Sequence, residues 1–151
     1  MTIGRLLESR DHPTVTCPAD TRVAEAAAIL ADKRIGALPV VAGGSGSDPV
    51  LGIFSERDLL YRVATEGAAV LDRPVGEVMT TPVISVTSDT AVLAALSLMT
   101  RRRIRHLPVI DVDGDGKNRM VGFVSIGDLV KVRIERIEAE AEAMREYIQT
   151  A

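Results

Sequence analysis

The chain has 151 residues, of which 46% are apolar and 26% are charged. This composition supports a buried core and excludes a disordered chain. The net charge of −3 at pH 7 gives the molecule no overall attraction to nucleic acid or to an anionic membrane, so we expect neither partner. Charges interrupt every apolar stretch and no secretory signal is recognisable, so we expect a cytoplasmic protein.

Residues suited to metal binding or nucleophilic catalysis are scarce. Cys17 is the only cysteine, which excludes an internal disulfide, and with two histidines it cannot complete a zinc site of the Cys and His type. Cys17 lies in a predicted apolar strand, which does not favour a reactive thiol. We therefore predict that the protein is not an enzyme and requires no metal or cofactor.

An internal repeat organises the chain. Pro13 aligns with Pro82, and residues 38–41 align with residues 107–110, at an offset of 69 residues. After a loop that is one residue longer in the second copy, residues 52–59 align with residues 122–129. Each copy has about 55 residues, which is small for independent stability. We expect the two copies to pack face to face around one shared core.

Each copy predicts the element order β-α-β-β-α. In the first copy, Val15 and Cys17 alternate as a short strand, and Asp20 or Thr21 can cap a helix that ends near Lys33. The apolar face of this helix recurs at spacings of three and four and consists of Val23, Ala26, Ala27 and Leu30.

The second half of each copy predicts a β-hairpin followed by a helix. In the first copy the β-branched runs 38–41 and 50–54 flank a loop rich in glycine, serine and proline, and the helix begins at Ser55. Short helical segments, residues 2–7 and 74–79, precede the two copies, and we call them the leads.

A Ser-x-x-Asp motif stands at the turn from the last strand to the last helix in both copies, as Ser55 with Asp58 and as Ser125 with Asp128. Free backbone N–H groups and the helix dipole at this place favour an anionic or polyhydroxyl ligand. The same spacing is also that of a capping box, which stabilises the helix without any ligand. The residues alone leave both interpretations open.

The order of these motifs, present twice over about residues 2–133, resembles the tandem CBS-domain module, also called the Bateman module, in a stand-alone form. The resemblance implies an α/β (α+β) fold: two β-α-β-β-α repeats packed as a pseudo-twofold pair, with a C-terminal helical extension. The corresponding boundaries are residues 1–66 for the first repeat, 67–133 for the second and 134–151 for the C-terminal helix.

The resemblance also implies a function. In that family the aspartate of the motif accepts the ribose hydroxyls of an adenine nucleotide, and the serine supports the sugar or phosphate. We therefore expect a regulatory, energy-sensing module that binds AMP, or else ADP, ATP or NAD, and acts as a homodimer or on a protein partner in trans. The alternative is a structural interaction module without a nucleotide.

A basic cluster distinguishes the second copy. Arg105 and His106 end the run of residues 101–106, and the family often places a phosphate-contacting residue here, although a solvated helix end is the simpler reading. Gly36 and Ala37 occupy the matching positions of the first copy. We therefore expect two unequal sites, with Arg105 and Asp128 in the same one, although the sequence leaves open which turn the arginine strand borders.

The remaining candidate site residues follow from the same alignment. Arg57, beside Asp58, either supplies charge to the first site or points to water. Residues at the start of the first strand of each copy complete the candidate set, and they are Thr14, Val15, Val83 and Ile84.

Two loops resemble known motifs only in part. Residues 111–116 match the opening of an EF-hand, but Gly122 stands where the closing glutamate is needed, so we expect a simple turn that does not bind calcium. Residues 43–47 are rich in glycine but lack the lysine of a phosphate-binding loop, and we interpret them as a flexible linker.

The C-terminal region predicts a helix with an apolar seam. The seam residues recur at spacings of four and three, and they are Val130, Ile134, Ile137, Ala141, Met144 and Ile148. The seam can lie on its own domain or pair with another molecule. We favour the intermolecular contact, because CBS pairs usually dimerise through helices.

Overall fold

Each copy of the repeat folds into a helix, a β-hairpin and a second helix, as predicted, but among the described residues the predicted opening strand forms only in the first copy. The computed structural model describes residues 1–43 and 48–151. In the first half of the chain the elements are α1 (Ile3–Glu8), β1 (Cys17–Pro18), α2 (Val23–Lys33), β2 (Ala37–Val41), β3 (Val50–Ser55) and α3 (Glu56–Glu66). In the second half they are α4 (Val92–Arg102), β4 (His106–Val112), β5 (Asn118–Ser125) and α5 (Ile126–Thr150). Two 3₁₀ segments, Gly67–Asp72 and Val75–Glu77, connect the halves.

Among the described residues, the first sheet has three strands and the second has two. In the first, β1 runs parallel to β2, and β2 pairs with β3 in the antiparallel sense. In the second, β4 and β5 form the antiparallel hairpin, and a single parallel bridge from Val86 to Val109 takes the place of the first strand. Cys17 lies buried in β1, and this burial raises the pKa of its thiol.

The helix cap predicted at Asp20 or Thr21 is wrong. The N-cap of α2 is Arg22, whose side chain makes no capping hydrogen bond. Instead, the Val23 N–H donates to the carbonyl of Arg73 at 2.9 Å, and the equivalent Val92 N–H donates to the carbonyl of Met1 at 3.1 Å. Because the chain near each lead supplies an acceptor for these free amides, no side-chain cap is needed.

The leads are exchanged between the two copies. The first lead packs on the second copy, where Leu7 lies against Gly122, and the second lead packs on the first copy, where Met79 lies against Gly52. A methyl group on either glycine would come within 2.6 Å of the facing side chain. The repeated glycine therefore permits this close approach.

The expectation of one shared core is wrong. In the described part of the chain, the buried residues form two clusters. The first copy's cluster contains Cys17, Val23, Ala26, Leu30, Leu38, Val40, Phe54, Val70, Val75 and Val78. The second copy's cluster contains Ile3, Leu6, Val86, Val92, Ala95, Met99, Leu107, Val109, Val124 and Leu129. Because each cluster includes residues from the other copy's lead, neither copy completes its core alone.

The C-terminal region continues α5 without a break. Leu129 is fully buried, whereas every residue of 134–150 is exposed. The alternative in which this part of the helix lies on its own domain is therefore wrong. The described residues of the chain thus leave the seam exposed.

The acidic loop forms the turn of the second hairpin, as predicted. The Asp113 carboxylate accepts hydrogen bonds from the backbone N–H groups of Asp115 and Lys117 at 2.9 and 3.0 Å. Gly116 adopts φ of +78°, which glycine tolerates. Residues 44–47 of the segment interpreted as a linker lie outside the described residues.

Candidate functional site

Both Ser-x-x-Asp motifs form complete capping boxes. The Asp58 and Asp128 N–H groups each donate to the hydroxyl of the motif serine at 3.2 Å. In return, the Ser55 and Ser125 N–H groups donate to the carboxylates at 2.9 and 2.8 Å. The capping interpretation is therefore realised in both copies. A capping box leaves carboxylate lone pairs free, so it does not exclude a ligand.

The two carboxylates differ in their remaining partner. The Thr80 hydroxyl donates a hydrogen bond to the Asp58 carboxylate at 2.8 Å. Thr80 directly follows the second lead, and its backbone forms an antiparallel bridge with Ile53, which holds it beside this carboxylate. The Arg10 guanidinium forms an ion pair with Asp128 at 2.5 Å. The Asp58 carboxylate thus accepts from a neutral hydroxyl, whereas the Asp128 carboxylate is paired with a cation.

The first cleft, which we call the Asp58 cleft, lies between the α3 turn of the first copy and the strand edge of the second. Its cavity volume is about 220 Å³. It is lined by Ile53, Ser55, Arg57, Asp58, Tyr61, Thr80, Pro82, Val83, Ile84, Arg103, Ile104, Arg105 and His106. It combines an apolar wall, one carboxylate and three arginines.

Arg105 lies in the Asp58 cleft, so the prediction that it shares a site with Asp128 is wrong. Its backbone does border the Asp128 turn, because its carbonyl accepts from the Ile126 N–H at 2.8 Å. Its side chain crosses to the other copy and forms an ion pair with Glu56 at 3.4 Å. The backbone of Arg105 thus lies beside the Asp128 turn, whereas its side chain lies in the Asp58 cleft.

The second cleft, which we call the Asp128 cleft, is the counterpart with the copies exchanged. It is lined by Arg10, His12, Pro13, Thr14, Val15, Arg34, Ile35, Gly36, Ala37, His106, Phe123, Ser125 and Asp128. All thirteen residues predicted from the sequence line one of the two clefts. Whether they bind a ligand stays a prediction.

Several basic residues of the clefts were missed by the sequence analysis. Arg34 aligns with Arg103 in the repeat, and both end a helix with positive φ, at 53° and 55°, so the alignment could have identified them. Arg10 lies before the repeated motifs, so no sequence motif indicated that it would line a cleft. Its guanidinium also donates to the carbonyl of Phe123 at 2.6 Å, which anchors it beside Asp128.

His106 stands between the two clefts and lines both. Its ring stacks on Phe123 with a centroid distance of 5.6 Å. Burial, followed by the charge of Arg105, lowers the pKa of His106, although Glu56 and Asp128 act in the opposite direction. The neutral imidazole is therefore favoured at pH 7, where it can accept or donate one hydrogen bond.

Opposing effects act on Asp128. Burial by itself raises the pKa of its carboxyl, but the Ser125 hydrogen bonds and the Arg10 guanidinium outweigh it, and the pKa lies below its usual range. The carboxylate is thus held ionised, as a hydrogen-bond acceptor. For a sugar hydroxyl to reach it, the Arg10 contact must be shared or displaced.

Other kinds of site find no support in the described residues. Across residues 1–43 and 48–151, no three His, Cys, Asp or Glu side chains lie together as metal ligands. No helix in the same ranges is long and apolar enough to cross a membrane.

This arrangement of two related halves with a cleft on each side defines a paired-repeat module. The CBS domain family matches the chain twice, over residues 9–65 and 75–135. The chain therefore belongs to the CBS domain family and carries a CBS pair.

Two relatives differ in how much of their own length the chain spans. CBSX3, a mitochondrial CBS domain-containing protein of Arabidopsis thaliana, is 37% identical over 94% of this chain and 67% of its own length. Inosine-5′-monophosphate dehydrogenase of Mycobacterium leprae is 36% identical over 78% of this chain, which spans only 20% of that enzyme.

Solved structures agree with the fold. A CBS-domain containing protein from Agrobacterium tumefaciens is 37% identical, with a TM-score of 0.75 over 88% of this chain and 99% of its own. A CBS domain protein from Pyrobaculum aerophilum complexed with AMP is 30% identical, with a TM-score of 0.70 over 85% of this chain and 89% of its own. The CBS domain pair of protein MJ0100, in complex with 5′-methylthioadenosine and S-adenosyl-L-methionine, is 26% identical, with a TM-score of 0.73 over 90% and 98%.

Proposed function

We propose that the protein is a regulatory, energy-sensing module that binds an adenine nucleotide, with AMP as the first candidate, in the clefts between its copies. It acts through a homodimer or on a protein partner in trans, and it is not itself an enzyme. The observation that carries the proposal is the Asp58 cleft, where an apolar wall, a carboxylate and arginines meet.

Each part of a nucleotide has a matching surface in this cleft. Ile53, Val83 and Ile84 offer an apolar wall for a planar base. The Asp58 carboxylate can accept from the adjacent hydroxyls of a ribose, which would share or displace the Ser55 and Thr80 hydroxyls that it holds in the structure. Arg103 and Arg105 supply charge-assisted donors for a phosphate. The arginines favour AMP, ADP, ATP or NAD over an uncharged adenosine compound.

The comparisons support an adenosyl ligand in general. One solved relative holds AMP, and another holds 5′-methylthioadenosine and S-adenosyl-L-methionine. The shared chemistry of these molecules is the adenosyl group, which is the part that the apolar wall and the carboxylate would contact.

A second candidate function is a structural interaction module without a nucleotide. It is favoured by the complete capping boxes and by the Arg10 ion pair, which already occupies the Asp128 carboxylate. In that case the two carboxylates stabilise helices only, and their clefts bind no small molecule.

Calorimetry with AMP and 2′-deoxy-AMP separates the two functions. We expect AMP to bind about ten- to a hundredfold more tightly, because the missing hydroxyl removes a charge-assisted hydrogen bond worth about 1.5 to 3 kcal/mol. Asp58→Asn should weaken AMP binding, whereas Asp113→Asn in the remote hairpin turn is the matched control. No AMP binding to the native protein would favour the structural module.

The compartment remains a prediction. The composition and the single cysteine are consistent with the cytoplasm, whereas the Arabidopsis relative is named as mitochondrial. Nucleotides are present in both compartments, so the proposed function does not depend on this choice.

A further inference from the structure

The distal part of α5 presents an apolar seam that residues 1–43 and 48–151 leave exposed. The five large members of the seam, which are Val130, Ile134, Ile137, Met144 and Ile148, are 41% to 68% exposed. They alternate at spacings of four and three, which is the a and d pattern of a two-stranded coiled coil. A stripe of this length and exposure is typical of a surface that pairs with another helix.

The direction of the seam keeps it clear of its own domain. Leu129 points inward and is fully buried, and Val130 is the next residue along the helix. Successive residues are about 100° apart around a helix, so the seam faces sideways relative to the domain. A twofold axis beside the seam and parallel to the helix would therefore place the two domains on opposite sides of a parallel helix pair.

The charges beside the seam determine how a second copy can pair. With Ile134, Ala141 and Ile148 at a positions, the flanking e positions are Lys131, Glu138 and Arg145, and the flanking g positions are Arg133, Glu140 and Tyr147. Along both the e and the g positions, the first side chain is therefore positively charged and the second is negatively charged. The third e position, Arg145, is positively charged again. Such e and g residues control orientation and partner choice in coiled coils.

Parallel and antiparallel pairing use these charges differently. In a parallel pair each g residue faces the e residue five positions later in the partner helix. Arg133 then faces Glu138 of the second copy, and Glu140 faces Arg145, so both contacts join opposite charges.

A fully overlapped antiparallel pair instead brings like charges together, because e faces e and g faces g. Lys131 would face Arg145, and Glu138 and Glu140 would each face their own equivalents. We propose that α5 forms a parallel two-stranded coiled coil with α5 of a second copy of this chain. The proposal rests on the homodimer part of the proposed function, and it does not depend on nucleotide binding.

The pairs within one helix do not oppose this arrangement. Arg136 contacts Glu140 at 3.2 Å and Arg145 contacts Glu142 at 3.4 Å, and all four side chains are more than half exposed. Solvated pairs of this kind contribute little and exchange freely. Glu140 and Arg145 therefore remain able to contact the partner helix.

Disulfide cross-linking of the full chain tests the orientation. In a parallel pair Met144 lies beside Met144 of the second copy, so Met144→Cys should form a covalent dimer on oxidation. Ala139→Cys is the matched control on the opposite face, where no cross-link is expected. Both positions are exposed, so neither change disturbs a core. In an antiparallel pair, Met144→Cys would instead cross-link to Ile134→Cys when the two variants are mixed.

Charge reversal provides an independent test by light scattering and sedimentation. Glu138→Lys should raise the dimer Kd roughly five- to fiftyfold. Each exposed ion pair contributes little, but twofold symmetry makes the Arg133–Glu138 pair occur twice in the dimer. Adding Arg133→Glu to that variant should restore the native dimer Kd to within about threefold. Glu146→Lys has the same charge change on the far face and should leave the dimer Kd unchanged.

Three results would overturn the proposal: a native chain that stays monomeric, a dimer whose Met144→Cys variant does not cross-link to itself, or a Glu138→Lys variant that dimerises normally. Normal dimerisation of the Glu138→Lys variant is expected of an antiparallel pair, because position 138 faces its own equivalent there. Two facing lysines would then replace two facing glutamates, and one like-charge contact would replace another. Calorimetry with AMP on the same samples reports nucleotide binding separately. A monomeric native chain with intact AMP binding would thus refute the coiled coil and the homodimer but not the nucleotide-binding function, whereas a dimer that fails only the cross-linking and charge tests would refute the coiled coil alone.

Discussion

Replacing Arg105 by alanine tests which cleft the basic cluster serves. A charge-assisted hydrogen bond to a phosphate contributes about 1.5 to 3 kcal/mol. The Arg105 side chain is 41% exposed and must give up its 3.4 Å contact with Glu56, so we expect the lower end of this range. AMP binding in the Asp58 cleft should weaken about tenfold in calorimetry, and adenosine, which has no phosphate, should be unaffected.

The matched control and a double-mutant cycle complete this test. Arg102→Ala removes the same charge from the exposed end of α4 and should leave AMP binding unchanged. Arg105→Ala should be non-additive with Asp58→Ala, because both residues line one cleft, and additive with Asp128→Ala. Coupling to Asp128 instead, or an equal loss for adenosine and AMP, would refute the assignment.

Three further predictions concern other parts of the molecule. Because its folded pKa is depressed, Asp128 should stabilise the protein above the unfolded pKa of about 4 and lose this effect as pH falls through the folded pKa. Arg10→Met should therefore lower the free energy of unfolding by less than about 1 kcal/mol at pH 7. Part of the difference reflects the Arg10 hydrogen bond to the Phe123 carbonyl and should remain in acid, so a urea-midpoint difference of the same size at pH 7 and pH 2 would contradict this. Ala141→Glu with Met144→Glu should convert the dimer to a monomer, and an unchanged mass in light scattering would refute an intermolecular seam. Calcium should not shift the melting temperature, and a shift that Asp113→Asn abolishes would show a calcium site.

Much of the fold could be predicted from the sequence because the evidence is local or repeated. The apolar spacing of α2, the β-branched runs of the hairpins and the Ser-x-x-Asp turns each depend on neighbours within a few residues. The presence of every element twice made the pattern specific. The helix cap at Asp20 or Thr21 could not be predicted correctly, because the amide of Val23 is satisfied by Arg73, about 50 residues later in the chain.

Many of the residues that line the two clefts could also be predicted, but which of them share a cleft could not. All thirteen candidate residues line a cleft, since repeat alignment places equivalent residues at equivalent edges. The side-chain direction of Arg105 depends on how the two copies cross, and Arg10 reaches Asp128 only because the first lead packs on the second copy. Neither contact is encoded within a single repeat.

The sequence by itself determined the repeat, the element order, the capping carboxylates and the heptad seam of α5, because each is a periodicity or a short-range spacing that the chain carries in any environment. The tertiary structure alone decided that the leads are exchanged, that two cores form and that each cleft joins the turn of one copy to the strand edge of the other. These features depend on contacts between residues far apart in the chain. Gly122 against Leu7 and Gly52 against Met79 show the physical reason: close packing across the two copies selects the arrangement.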